Sequence, residues 1–85
     1  MRIIEQYNTI DIPYERAVLC VYTSDDAYFI TANIGVTEEE TVALGNYKTK
    51  ERCVEIMREI RKAYDNFCKT DNIYARENYF YMPKE

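Results

Sequence analysis

Near the C-terminus, Arg76, Asn78, Tyr79 and Tyr81 bring together three chemistries that nucleotide recognition uses. A guanidinium fork binds phosphate oxygens in pairs, a carboxamide reads a base edge, and a phenol ring stacks on a purine. In a strand, alternate residues face opposite sides, so Tyr79 and Tyr81 would share one face. The commoner fate of such aromatic strands is burial in a core or a homodimer interface, and that role competes with binding.

A second set is Tyr47, Lys48, Arg52 and Arg61, with Lys50 and Lys62 among them. Lys48 and Arg52 flank the expected start of a helix, where unpaired backbone N–H groups already attract anions. This end could hold a phosphate or pyrophosphate. The competing reading is a solvated helix surface, because Glu51, Glu55 and Glu59 interleave with the bases at three- and four-residue spacing.

Other reactive groups point away from metal binding and catalysis. Asp25-Asp26 and Glu38-Glu39-Glu40 lack the alternating ligand spacing of a calcium loop and are better explained as solvated acids, so no metal site is expected. Cys20, Cys53 and Cys68 form no C-x-x-C pattern, and the chain has no histidine. Cys20 is expected in a core strand and Cys53 on the apolar stripe of a helix, each acting as a small hydrophobe. Without histidine, the usual general base near neutral pH and every Ser-His or Cys-His pair are missing. Gly35 and Gly45 are the only glycines, so no glycine-rich phosphate loop can be written. The expected function is therefore non-enzymatic, without a cofactor.

These residues have to be positioned by an α+β fold. Arg2–Glu5 and Thr9–Ile12, joined through Tyr7-Asn8, read as a small hairpin or edge that Pro13 closes. Ala17–Thr23 and Ala27–Ile34, joined by Ser24-Asp25-Asp26, form the clearest hairpin, and Thr41–Tyr47 follows as a strand with Gly45 at a bulge or close approach. From Thr49, a natural N-cap, the period changes. Cys53, Ile56, Met57, Ile60, Tyr64 and Phe67 then fall on one helical stripe. Asn78–Met82 reads as a last strand ahead of Pro83. The expectation is a small antiparallel sheet of about five to six strands packed against one long helix, with a C-terminal strand.

Length and charge narrow the partners. Eighty-five residues, 47% of them hydrophobic, make one domain over residues 1–85. The longest uncharged run is the eleven residues Ala27–Thr37, against the roughly 20 of a membrane helix, so a soluble intracellular protein is expected. The net charge of −4 divides into −6 over residues 1–46 and +2 over residues 47–85. Within the second part, Tyr47–Lys62 carries +3, a local feature that draws small anions, while the acidic first half would repel duplex nucleic acid. So small a core gains from self-association, and nine tyrosines suit half-wet interfaces, so a homodimer or higher homo-oligomer is expected.

Several short stretches resemble a known family. They are Met1–Ile4, Ile10–Glu15, Tyr47–Arg52 leading into Val54–Ile60, and Tyr79–Pro83. In their order they look like small phage and prophage proteins of Firmicutes, and the nearest functional family is the Thoeris anti-defence 1 sponges. About ten residues stand where longer members carry a further helical segment. The resemblance implies a non-catalytic phage protein, acting as a homo-oligomer in the cytoplasm of the infected bacterial host. Its expected partner is a cyclic nucleotide immune signal, glycocyclic ADP-ribose or a cyclic oligonucleotide, sequestered to suppress Thoeris-type or CBASS-type immunity. The ligand-binding expectation on local chemistry is Tyr47, Lys48, Arg52, Arg61, Arg76, Asn78, Tyr79 and Tyr81. The alternative is an acidic phage protein that inhibits a host defence protein by direct contact, motivated by the −6 half.

Overall fold

The computed structural model describes residues 1–69 and 79–85. Arg76 and Asn78 lie outside the described residues. Among the described residues the architecture is α+β, with six strands, one long helix and two short 3-10 turns, Tyr14–Arg16 and Glu38–Glu40. Strands β1 (Arg2–Ile4), β2 (Asp11–Pro13) and β6 (Tyr79–Tyr81) form one sheet in the order β2-β1-β6. Strands β3 (Val18–Ser24), β4 (Ala27–Asn33) and β5 (Thr41–Tyr47) form a second, antiparallel sheet in that order. Helix α1 (Lys50–Lys69) packs on it, making contacts to all three strands.

The strands thus divide into two sheets, and one pairing is parallel. β1 and β2 are antiparallel, but β6 runs parallel to β1, with Arg2 opposite Tyr79 and Ile4 opposite Tyr81. Connectivity accounts for this. β6 enters only after the chain has passed through the second sheet and the helix, and parallel neighbours require such a crossover rather than a tight turn.

One core joins the layers. Ile3 and Ile12 come from the first sheet, Ile30, Ala32, Leu44 and Tyr47 from the second, Cys53, Ile56 and Ile60 from α1, and Met82 from beyond β6. The helical stripe has the expected composition, with Met57, Tyr64 and Phe67 half-buried at its margin. Tyr64 sits with its ring centroid 4.8 Å from that of Tyr14 and 6.0 Å from that of Phe67. Burial pushes the Cys53 thiol above its ordinary pKa. Among the described residues, no helix is long and apolar enough to cross a membrane.

Local chemistry sets the turns. Asp25 (φ 49°) and Asp26 (φ 63°) both adopt the left-handed region, as the two central residues of a primed hairpin turn must. In β5 the register slips by one: Ile30 faces Gly45 but Thr31 faces Ala43, leaving Leu44 as the extra residue of a bulge. Gly45 is required there because the Tyr47 ring lies over it. A Cβ would meet the Tyr47 hydroxyl at 2.5 Å.

Cys20 is not in the core. β3 has one wet face, so its apolar run alternates, with Leu19 and Val21 packing inward while Val18, Cys20 and Tyr22 are exposed. A continuous apolar run does not by itself reveal that one face is open.

The turn between β1 and β2 is built on a buried carboxylate. Glu5 Oε1 accepts hydrogen bonds from the N–H of Tyr7 (2.9 Å), the N–H of Thr9 (2.7 Å) and the Thr9 hydroxyl (2.8 Å). The Thr9 N–H contributes most to holding the Glu5 carboxyl below its ordinary pKa of 4.5. A depressed carboxylate stabilises the fold above the unfolded value and loses that contribution as pH falls through the folded one. Stability should therefore decline as pH drops below 4.5. The decline should be shallower in Glu5→Gln, as urea titrations of both proteins between pH 6 and about pH 3 would show. Equal pH slopes would remove Glu5 from this role.

Candidate functional site

The helix N-terminus and the C-terminal segment meet over the end of β5. Thr49 caps α1, its hydroxyl accepting the Arg52 N–H at 3.1 Å and its carbonyl the Cys53 N–H at 3.3 Å. Tyr47, the last residue of β5, is 3% exposed, and its hydroxyl donates to the Pro83 carbonyl at 2.6 Å. Burial pushes the Tyr47 phenol up to about 12. It forms the buried floor of this region rather than a free stacking surface.

Arg52 is held on two sides. Its guanidinium pairs with Glu55 and lies 3.6 Å from Glu59 on its own helix, while Nε donates to the Glu85 carbonyl at 3.0 Å. Lys48 and Lys84 are exposed and make no ion pair among the described residues. Arg52 is thus a held wall whose charge its own helix compensates, and the two lysines are the cations left without an ion pair among the described residues.

Two recesses adjoin here. One, of about 260 Å³, is lined by Asn46, Tyr47, Lys48, Arg52, Lys84 and Glu85. The other, of about 300 Å³, is lined by Gln6, Tyr7, Asn8, Asn46 and Lys84. Asn46 and Lys84 border both, so the two form one cleft astride the C-terminal segment. Each lies near the lower end of the ~300–1,000 Å³ usual for ligand pockets.

Gln6 joins the pieces that frame this cleft. Its backbone N–H donates to the Leu44 carbonyl at 2.8 Å, and its side-chain Oε1 accepts the Asn46 N–H at 3.1 Å. Its Nε2 donates to the carbonyls of Asn46 (3.3 Å), Pro83 (3.2 Å) and Lys84 (2.8 Å). The backbone of Gln6 thus engages the bulge at Leu44, while its buried side chain ties the end of β5 to the C-terminal segment.

The structure brings together Tyr47, Lys48 and Arg52 of the sequence-derived set. Arg61 lies nine residues further along α1, about 13 Å at 1.5 Å per residue. It lines a separate recess of about 230 Å³ with Tyr14, Ala17, Leu19 and Met57. Tyr79 and Tyr81 do share an exposed face of β6, with Phe80 turned toward the core, but neither borders the cleft.

Sequence reasoning missed Gln6, Tyr7, Asn8, Asn46 and Lys84. Tyr7 and Asn8 look like turn residues and nothing more. The available signal was an aromatic in a tight turn, where a ring cannot be buried by its own hairpin; Tyr7 is 77% exposed, beside Asn8 at φ 62°. Among the described residues, no group of three or more acids or cysteines is gathered to hold a metal ion.

Among the described residues, the ionisable groups that are perturbed move away from neutrality. Glu5 and Glu15 shift down, Glu15 chiefly through its hydrogen bond from the N-terminal ammonium. Tyr47 and Cys53 shift up through burial, and Tyr64 shifts up chiefly through its hydrogen bond with Cys68. The cleft offers the cations of Lys48 and Lys84, the amides of Gln6, Asn8 and Asn46, the Tyr7 ring, and beside them the paired Arg52 and the acid Glu85. Comparison of the chain with protein-family models, curated proteins and solved structures finds no match.

Proposed function

We propose that this protein is a non-catalytic phage anti-defence protein that binds and sequesters a cyclic nucleotide immune signal in the cytoplasm of the bacterial host. The observation that carries this reading is the cleft beside the α1 N-terminus, where exposed Lys48 and Lys84, the amides of Asn8 and Asn46, and the exposed Tyr7 ring converge. Lysines and helix N–H groups suit phosphates, amides suit base edges, and an exposed phenol ring suits a base face. A sponge needs affinity and no proton transfer, which agrees with a chain that has no histidine.

The test is a thermal-shift series against glycocyclic ADP-ribose isomers and cyclic di- and trinucleotides, with mass spectrometry of what heating releases. Stabilisation with intact ligand recovered is expected. Lys48→Glu combined with Lys84→Glu should weaken binding more than tenfold, since each lost charge-assisted contact costs about 1.5–3 kcal/mol. Lys62→Glu, elsewhere on the exposed helix surface, should bind like the parent. No shift at saturating ligand, or recovery of a cleaved ligand, would overturn the proposal.

A further inference from the structure

The strand edges of this protein are protected, with one exception among the described residues. β2 is three residues long and carries Asp11 and Pro13, a charge and a residue without an N–H, both of which discourage a further strand. β6 is also only three residues. The outer edge of β5 is engaged by Gln6 at Leu44 and Asn46. β3 is different. It is a seven-residue edge strand, Val18-Leu19-Cys20-Val21-Tyr22-Thr23-Ser24, with no charge, no proline and no bulge. Its outward residues are apolar, Val18 being 65% and Tyr22 58% exposed, with Cys20 exposed between them. A bare edge of that length and composition is a template for another strand.

The residues at its two ends select the partner. Arg16 precedes β3, and Asp25-Asp26 follow it. An antiparallel arrangement that sets Val21 opposite its own copy pairs all seven residues, since 18 then faces 24 and 20 faces 22. That same register brings the end of each β3 that follows Arg16, the last residue of a 3-10 turn (Tyr14–Arg16), beside the Asp25-Asp26 turn of the other copy. Antiparallel pairing thus puts opposite charges at both ends, and full overlap selects the two-fold arrangement about Val21. Setting Cys20 or Tyr22 opposite itself also keeps the outward face outward but pairs only five of the seven residues. Two chains of net charge −4 would meet along an uncharged strand with opposite charges gathered at each end.

We infer that a second copy of this chain pairs with β3 in antiparallel register about Val21, joining the β3-β4-β5 sheets of the two copies into one of six strands. The outward face then becomes a continuous band, with Cys20 of one copy beside Tyr22 of the other. Such an interface is isologous, each patch meeting itself. It does not depend on the ligand reading, because β3 contributes only Leu19 to any recess described above, and not to the cleft.

Sedimentation equilibrium of the full chain over a concentration series tests the pairing. A dimer is expected, and Arg16→Glu, at an exposed position, should raise the dimer dissociation constant at least tenfold by facing acid with acid. Adding Asp25→Asn and Asp26→Gly to that variant removes the repulsion with a turn-compatible pair and should recover most of the affinity. Register is read by oxidation in a Cys68→Ser background. Directly opposite residues lie about 4.5–5.5 Å apart between Cα atoms, within disulfide range, and diagonal ones about 7–8 Å, outside it. Tyr22→Cys should therefore give a covalent dimer on a non-reducing gel, and Cys20 without that substitution should not. A protein monomeric at every concentration, a dimer indifferent to Arg16→Glu, or crosslinking through Cys20 without Tyr22→Cys would each overturn the inference.

Discussion

Replacing Ile56 by alanine should lower the free energy of unfolding by about 2–5 kcal/mol, the largest single-residue effect expected for this chain. Ile56 is fully buried on α1, in the core that the helix shares with both sheets, and its truncation leaves a void that two sheets and a helix cannot all close around. Domains carry roughly 0.05–0.15 kcal/mol of stability per residue, so the loss would consume a large share of what 85 residues hold. Lys62→Ala, six residues along the same helix but exposed, should stay within about 0.5 kcal/mol. Urea unfolding at one fixed protein concentration compares them without interference from self-association. A cost for Ile56→Ala below that of an ordinary surface substitution would mean that α1 is not seated on this core.

Gln6→Glu should be the second largest, at about 1–3 kcal/mol, although it changes one amide to an acid of the same size. The side-chain nitrogen of Gln6 faces three carbonyl oxygens, those of Asn46, Pro83 and Lys84. A carboxylate there has no proton to give and places negative charge against three negative dipole ends. The loss should shrink as pH falls, because the protonated acid regains one donor. Hydrogen exchange gives the local reading. The Asn46 N–H, which Gln6 Oε1 accepts at 3.1 Å, should lose less protection than the contacts to the C-terminal segment lose order, since an acid oxygen can still accept. Gln6→Leu removes both functions and should expose Asn46 N–H to exchange as well. If Gln6→Glu were as stable as the parent at neutral pH, the segment after β6 would not be tied through Gln6.

Both effects concern the same question, what holds the cleft together, and they differ in how visible they are in the chain. Ile56 is legible from spacing. It falls on a stripe with Cys53 and Ile60, and a stripe of that period has to be buried. Gln6 is not legible. A glutamine between a short strand and a turn has no local pattern, and its partners lie 40, 77 and 78 positions away. The same contrast separates the site residues. Lys48 and Arg52 could be placed together because they flank one helix start. Tyr7, Asn8 and Lys84 join them only because β1 and the segment after β6 are neighbours in space. Arg61 shows the reverse. It belongs to the same basic run as Arg52, yet helical rise carries it to a different recess.

The hairpin of β3 and β4, the bulge glycine in β5, the capped helix and its buried face were determined by the sequence itself, because each depends on residues within a few positions of one another. Tertiary structure alone decided that the strands divide into two sheets, that β6 returns parallel to β1, that Cys20 faces outward, and that a buried glutamine closes the cleft. Those outcomes depend on which distant surfaces meet, and hydrophobic burial, being non-directional, leaves that choice to the packing of the whole chain.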